Sequence, residues 1–363
     1  MTDPLVTEVA ASAYTVPTDG PEADGTLAWD STTMVVVEVH AGGAVGTGWT
    51  WAPAAGVQVV RDLLAPVVTG RSALAPRDAQ AAMTDAVRNA GRPGLVAMAL
   101  SAVDIALWDL GARLLELPLS TWWGAAARPA PVYGSGGFTT YSDDALRSQL
   151  TGWVELGLPR VKIKIGESWG RCERRDLERV AFARQVVGDE VELYVDANGA
   201  YDAGQACRIG RALDDSGVRW FEEPVSSDDT EGLRRVRAAV SADVAAGEYS
   251  WTLADAVRLA PVVDCLQVDV TRCGGYTEWF RIAAVAAAHG LDVSAHCAPY
   301  LSAPAAAATP RFRHIEWFHD HVRIVRELVD GYRDPVDGAL PPTDRPGHGL
   351  RLRPDRAAAY RVA

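Results

Sequence analysis

From about residue 130 onward the chain alternates between short apolar, β-branched runs and longer stretches with helical periodicity. The runs cover residues 131–135, 160–165, 191–196, 218–222, 243–248, 265–269, 291–296 and 314–317, and runs this short bounded by polar residues read as strands. Between them lie segments such as 144–156, where Leu146, Leu150 and Val154 share one face, and 276–289. Eight strands with seven intervening helices predict an α/β fold, a (β/α)7β TIM-like barrel. A doubly wound open sheet is the alternative.

The first 125 residues follow another pattern. Residues 33–39 and 45–51 read as antiparallel strands around Gly42-Gly43, followed by helices near 57–64, 79–89 and 95–115. Without βαβ alternation, this is an α+β module. The tail after about 333 carries Pro335, Pro341, Pro342, Pro346, Gly347 and Gly349. It has no core of its own and is expected to pack back on the N-terminal module. No apolar run approaches the length that spans a bilayer, and no basic segment leads into an apolar one at the N-terminus, so the cytoplasm is the expected location.

Composition narrows the function. A chain with 48% hydrophobic and 23% charged residues is an ordinary globular one, which excludes disorder and low complexity. The net charge of -12, with no local basic patch, argues against nucleic acid and anionic membranes as partners. Five cysteines (Cys172, Cys207, Cys265, Cys273, Cys297) without a C-x-x-C pair favour neither a disulfide framework nor a cysteine zinc site. Of the 35 basic residues only Lys162 and Lys164 are lysines. An arginine-biased composition could leave two lysines behind by chance. Their i,i+2 pairing points instead to amine chemistry, because an ammonium can lose its proton where a guanidinium cannot.

In a barrel the active site lies at the C-terminal ends of the strands. Those ends carry Lys162 and Lys164, then Asp196 with Asn198 two residues on, Glu222-Glu223, Glu248, Asp269, His296 and Glu316. The equal spacing of Asp196, Glu222 and Glu248 matches one β/α unit per step. Three converging carboxylates form a hard oxygen site suited to Mg²⁺ or Mn²⁺ rather than Zn²⁺. Either Glu222 or Glu223 points inward, and the pattern leaves that choice open. Asp269 ends the strand beside His296, where a carboxylate fixes the imidazole tautomer and strengthens it as a base. Lys164 and His296 flank the carboxylate strands, one proton carrier on each side. A barrel metal hydrolase would show H-x-H on the first strand, where Tyr133-Gly134-Ser135 stands. A binding-only descendant would be expected to have lost part of the set.

The ordered motifs Lys162-Ile163-Lys164, Val195-Asp196-Ala197-Asn198, Phe221-Glu222-Glu223-Pro224, Ala246-Gly247-Glu248, Asp269 to Gly275, His296 and, upstream, Ala102-Val103-Asp104-Ile105-Ala106-Leu107-Trp108-Asp109 resemble the enolase superfamily, specifically its mandelate racemase subgroup, over nearly the whole chain. The resemblance implies an N-terminal α+β capping domain (1–125), a catalytic barrel (126–332), a C-terminal segment (333–363) and a homo-oligomer. It also implies Mg²⁺ on Asp196, Glu222 and Glu248 holding a small-molecule carboxylate, with removal of the proton α to it. Lys164 would be one base and His296, paired with Asp269, the other. Lys162 would touch the substrate carboxylate and depress the pKa of Lys164. Glu316 would hydrogen-bond the carboxylate, and Asn198 is a further substrate contact. Segments 14–30 and 46–52, with Glu22, Asp24, Thr26, Trp29, Trp49 and Trp51, are the expected specificity loops. The implied reaction is dehydration of an acid sugar, aldonate or aldarate, to a 2-keto-3-deoxy acid; the alternative is a racemase or epimerase of a 2-hydroxy acid.

Overall fold

The computed structural model describes residues 3–363; Met1 and Thr2, the start of the N-terminal stretch read above, lie outside the described residues. The chain opens with an antiparallel sheet of three strands, β1 (Glu8–Ala23), β2 (Ala28–Ala41) and β3 (Ala44–Trp51), in that order. Two strands were expected from the pattern. The extra one, β1, is rich in Ala and Thr and carries Pro17, so it has no strong two-residue alternation. Its pairing with β2 shifts register between Pro17 and Glu22. The expected loop 14–30 is therefore mostly strand, with only a short turn between β1 and β2.

A helical stretch over 56–68, α1 (Pro76–Ala86) and α2 (Leu95–Leu114) cover the sheet. By length and composition α2 could cross a membrane, contrary to the reading that no run comes near it, but it is buried as a core helix. β3 lies directly on its backbone. A Cβ at Gly46 or Gly48 would come within 2.2 Å of the Ala106 and Ala102 carbonyls, so only glycine permits the approach.

The barrel strands are β4 (Ala130–Gly136), β5 (Arg160–Lys164), β6 (Glu192–Asp196), β7 (Val218–Glu222), β8 (Asp243–Ala246), β9 (Cys265–Val268), β10 (Asp292–Ala295) and β11 (Phe312–Phe318). They run parallel in sequence order, and β11 pairs with β4 to close the ring. The helices between them are α3 (Asp143–Glu155), α4 (Glu173–Val187), α5 (Ala203–Leu213), α6 (Thr230–Arg237), α7 (Leu253–Leu259), α8 (Gly275–Ala288) and α9 (Pro299–Ala307). An eighth, α10 (His319–Leu328), follows the last strand and was not anticipated. Tyr133, Tyr194, Trp220, Ala245 and Cys265 plug the barrel interior beneath the strand ends.

Two buried carboxylates on α2 tie the parts together, which gives the Ala102–Asp109 motif a structural role. Asp104 accepts from the Thr277 backbone N–H (3.0 Å) and hydroxyl (2.6 Å) at the start of α8. Burial pushes its carboxyl up to about 7. Asp109 accepts from Thr47 N–H on β3 and His348 N–H in the tail. The tail also bonds Ala13 through Val362 and Ala363 and lays residues 339–340 against β4, so it touches barrel and sheet alike.

Candidate active site

Each strand end delivers its residue because successive side chains of a strand alternate between the barrel interior and the helices outside. Lys162 and Lys164 both face inward on β5, as do Asp196 at the end of β6 and Glu222 at the end of β7, and all are buried. The strand register sets Lys164 beside Asp196 and Asp196 beside Glu222. Oxygen atoms of Asp196, Glu222 and Glu248 lie within 4.8 Å of one another. An all-oxygen, buried set of three carboxylates suits a hard divalent cation, and Glu248 Oε2 has no hydrogen-bond partner. These are the residues that could hold a metal.

The two lysines lie among these carboxylates. Lys164 Nζ is 2.5 Å from Asp196 Oδ2. Lys162 Nζ reaches Glu222 Oε1 at 2.5 Å, Glu316 Oε1 at 2.8 Å and Asp196 Oδ2 at 3.6 Å. Burial and, as expected, the Lys162 charge push Lys164 down, but the carboxylates of Asp196, Glu316 and Glu222 together outweigh them and its pKa is raised. Conversely, burial alone would raise Asp196, and Lys164 with Lys162 hold it below the usual carboxylate range. Glu222 spends its second oxygen on Trp220 Nε1 and Gln267 Nε2, both 2.8 Å.

Across the rim, His296 Nδ1 meets Asp269 Oδ2 at 2.7 Å, while Asp269 Oδ1 accepts the Thr271 backbone N–H and hydroxyl, each 2.7 Å. Asp269 is held below the normal carboxylate range: burial opposes this, but the His296 bond and the Arg272 charge win. Nε2 of His296 points at Glu248 Oε2, 3.3 Å away. Glu316 is fully engaged, by Ser135 and Lys162 on one oxygen and by Cys297 N–H (3.0 Å) on the other. Thus Lys162, Lys164, Asp196, Glu222, Glu248, Asp269, His296 and Glu316 converge. Asn198 donates its backbone N–H to Asp196 Oδ1 at 2.8 Å, and Glu223, its carboxyl raised by burial and then by the Glu248 and Asp196 charges, adjoins the same centre. Both have positive φ and a buried oxygen with no partner, and both line a cavity of about 560 Å³ with Thr26, Trp169, Tyr249 and Trp251.

Beside Lys164 and His296 lies an apolar ceiling that sequence reasoning largely missed. Phe138, Cys297 and Phe318 form a small apolar cluster joined by Trp29 and Tyr141, and the Lys164 ammonium sits 5.9 Å from the Phe318 ring centre. Trp29 Nε1 donates to Glu22, whose carboxyl is driven up to about 8 by burial and then by Asp320. Trp51 stacks on His321 at 3.8 Å. Burial holds His321 neutral, its pKa well below the ordinary histidine value. Trp49 instead packs edge-on against His348 in the core and is not part of the ceiling. His321 had one available signal, its place one turn beyond a strand-end glutamate, but only the unpredicted α10 gives that place meaning.

Comparison with known proteins agrees with this fold. Residues 8–124 match the mandelate racemase / muconate lactonizing enzyme N-terminal domain, and residues 145–356 the family described as enolase C-terminal domain-like. The chain is 30% identical over 326 residues to the L-talarate/galactarate dehydratase of Salmonella typhimurium, covering 88% of this chain and 80% of the relative. It is 33% identical over 278 residues to the 3,6-anhydro-alpha-L-galactonate cycloisomerase of Streptomyces coelicolor, covering 75% and 74%. A mandelate racemase/muconate lactonizing enzyme-like protein from Rubrobacter xylanophilus superposes with a TM-score of 0.96 at 50% identity over 99% of this chain and 100% of that one. A racemase from Streptomyces coelicolor with bound magnesium gives 0.93 at 29% identity over 99% and 100%.

Proposed function

We propose that this chain, which belongs to the mandelate racemase/muconate lactonizing enzyme family, removes the proton α to a carboxylate in a Mg²⁺-dependent dehydration of an acid sugar to a 2-keto-3-deoxy acid. The observation that carries the reading is the pairing of Lys164 with the Asp269–His296 dyad on either side of three clustered carboxylates. Relatives named as acid-sugar dehydratases support it. Asp196, Glu222 and Glu248 would hold the metal. Bound there, Mg²⁺ would fasten the substrate carboxylate, neutralise the charge that grows on it, and draw off the negative charge that otherwise keeps Lys164 protonated.

The chain's own residues do the rest. Lys162, its ammonium held by Glu316, orients the substrate carboxylate, and Lys164 as free amine takes the α-proton. His296 as imidazolium, steadied by Asp269, gives its Nε2 proton to the β-hydroxyl, which leaves as water. The enol that remains ketonises by gaining a proton at C3. Phe138, Phe318, Trp29 and Trp51 keep bulk water from the reacting carbons. A library of aldonates and aldarates, assayed with Mg²⁺ for keto-acid formation, tests the reading. In D₂O the product should carry deuterium at C3.

Two proton carriers on opposite sides also fit a racemase or epimerase of a 2-hydroxy acid, with His296 returning a proton to the α-carbon. An isomeric hydroxy acid deuterated at its α-carbon, with no keto acid, would establish that reading instead.

A further inference from the structure

His296, Cys297 and Glu316 bring a second group of donor atoms together, separate from the three carboxylates. His296 Nε2 lies 3.4 Å from Cys297 Sγ and 3.6 Å from Glu316 Oε2, and the thiol is 3.3 Å from that same oxygen. In the plane of the three atoms the equidistant point is about 2.0 Å from each, so a centre lifted out of that plane reaches zinc bond lengths of about 2.0–2.1 Å to nitrogen and oxygen and about 2.3 Å to sulfur. The edges of such a tetrahedron are about 3.3–3.6 Å, the range found here.

An independent feature points to a ligand at that centre. On the other side of the ring Asp269 takes the Nδ1 hydrogen, the carboxylate–histidine arrangement that frees the Nε2 lone pair for a metal. Consecutive residues of an extended strand point to opposite faces. Cys297 shares a focus with His296 because the chain turns left-handed just past β10, with φ of 47° at Cys297 and 42° at Ala298. Neither is glycine, so the turn is held against its own steric cost.

We propose that His296, Cys297 and Glu316 form a binding site for a thiophilic divalent cation, Zn²⁺ or Cd²⁺, with solvent completing the shell, distinct from the oxygen-only set that suits Mg²⁺. A thiolate selects these softer ions over Mg²⁺. On binding, the thiol proton leaves to solvent, and thiolate, imidazole and carboxylate each give a lone pair; nothing is oxidised. Glu316 keeps its other oxygen on Lys162 and Ser135. The cation would occupy the nitrogen assigned above as proton donor and so stop product formation. That consequence rests on the proposed reaction; the site does not.

The test uses the full chain saturated with Mg²⁺ and titrated with Cd²⁺, followed by the ultraviolet thiolate-to-cadmium band and by equilibrium dialysis. One tight equivalent per chain with the band is expected. Cys297→Ser should abolish the band and weaken binding at least about a hundredfold, while Cys172→Ser, at the one partly exposed cysteine, should leave both. A band that survives Cys297→Ser, or no band at ten equivalents, overturns the proposal. If Cys297→Ser fails to fold, X-ray absorption on the Zn²⁺-loaded wild type decides: one sulfur with nitrogen or oxygen neighbours supports the site, and an all-oxygen shell overturns it. Turnover should fall in step with occupancy. Full turnover in the Cd²⁺-filled protein would leave the site established and overturn His296 as the acid.

Discussion

Replacing Asp269 with asparagine changes one atom and sets two neighbours against each other. Asp269 accepts from His296 Nδ1 on one oxygen and from the Thr271 backbone N–H on the other. That N–H can only donate, so in Asp269→Asn the amide oxygen is drawn to Thr271 and the NH₂ turns on His296. The imidazole must then carry its hydrogen on Nε2, the wrong tautomer for a group that exchanges protons there. Turning the amide over rescues the tautomer but faces NH₂ against the Thr271 N–H, leaving a buried donor unpaired at about 1–3 kcal/mol. Either way the carboxylate that favours an imidazolium is gone, a charge-assisted bond of about 1.5–3 kcal/mol. Together these come to about 2.5–6 kcal/mol, or roughly a hundredfold to ten-thousandfold in turnover at 1.36 kcal/mol per factor of ten. The assay is keto-acid formation on the best acid sugar, alongside α-proton exchange in D₂O, imidazole nitrogen shifts by NMR, and thermal melting. Product formation should fall by that factor and the tautomer should change, while exchange through Lys164 continues and the protein stays folded at the assay temperature. Turnover within tenfold of wild type would refute the argument. Exchange lost in step with product would place His296 in proton abstraction instead.

Lys164→Arg keeps a cation for Asp196 but cannot deprotonate near neutral pH, so turnover should drop at least about a hundredfold with melting unchanged; wild-type-like turnover would reduce the two lysines to a compositional remnant. Exhaustive chelation should abolish activity and Mg²⁺ or Mn²⁺ restore it, with Glu222→Gln weakening metal binding by calorimetry more than Glu223→Gln. The reverse order would move the metal to Glu223. Asp104, raised from 3.8 to about 7 in the folded chain, binds its proton more tightly folded than unfolded. The stability it lends in acid is therefore lost as pH rises between about 4 and about 7. Denaturant unfolding of Asp104→Asn at pH 5 and pH 7.5 should show a smaller fall than wild type, and an equal fall would show that Asp104 is ionised throughout.

Much of the candidate site was legible in the sequence for a local reason. Strand direction and two-residue alternation are written in nearest neighbours, and a parallel barrel places every strand end on one rim. Counting apolar runs therefore brought Lys164, Asp196, Glu248, Asp269, His296 and Glu316 to one rim without a contact map, left Glu222 and Glu223 as alternatives, and Lys162 followed by alternation. Strand β1 escaped because its Ala and Thr residues earn their conformation from pairing with β2 rather than from their own pattern. The helix α10 escaped because nothing after the eighth apolar run was expected to return to the barrel.

What only the tertiary structure decided lies where distant segments meet. Trp51 stacks on His321 and Glu22 lies near Asp320, each pair about 270 to 300 residues apart in the chain. No periodicity encodes such contacts, because they depend on how the α+β sheet docks over the barrel mouth. Cys297 joins the His296 focus through a left-handed turn that a cysteine-alanine pair does not announce. The charge state of Lys164 belongs to the same class. Its residue type made amine chemistry possible, but Asp196 at 2.5 Å against Lys162 on the same strand face sets its proton affinity. Coulomb energy falls with distance and grows with burial, and the sequence contains neither quantity.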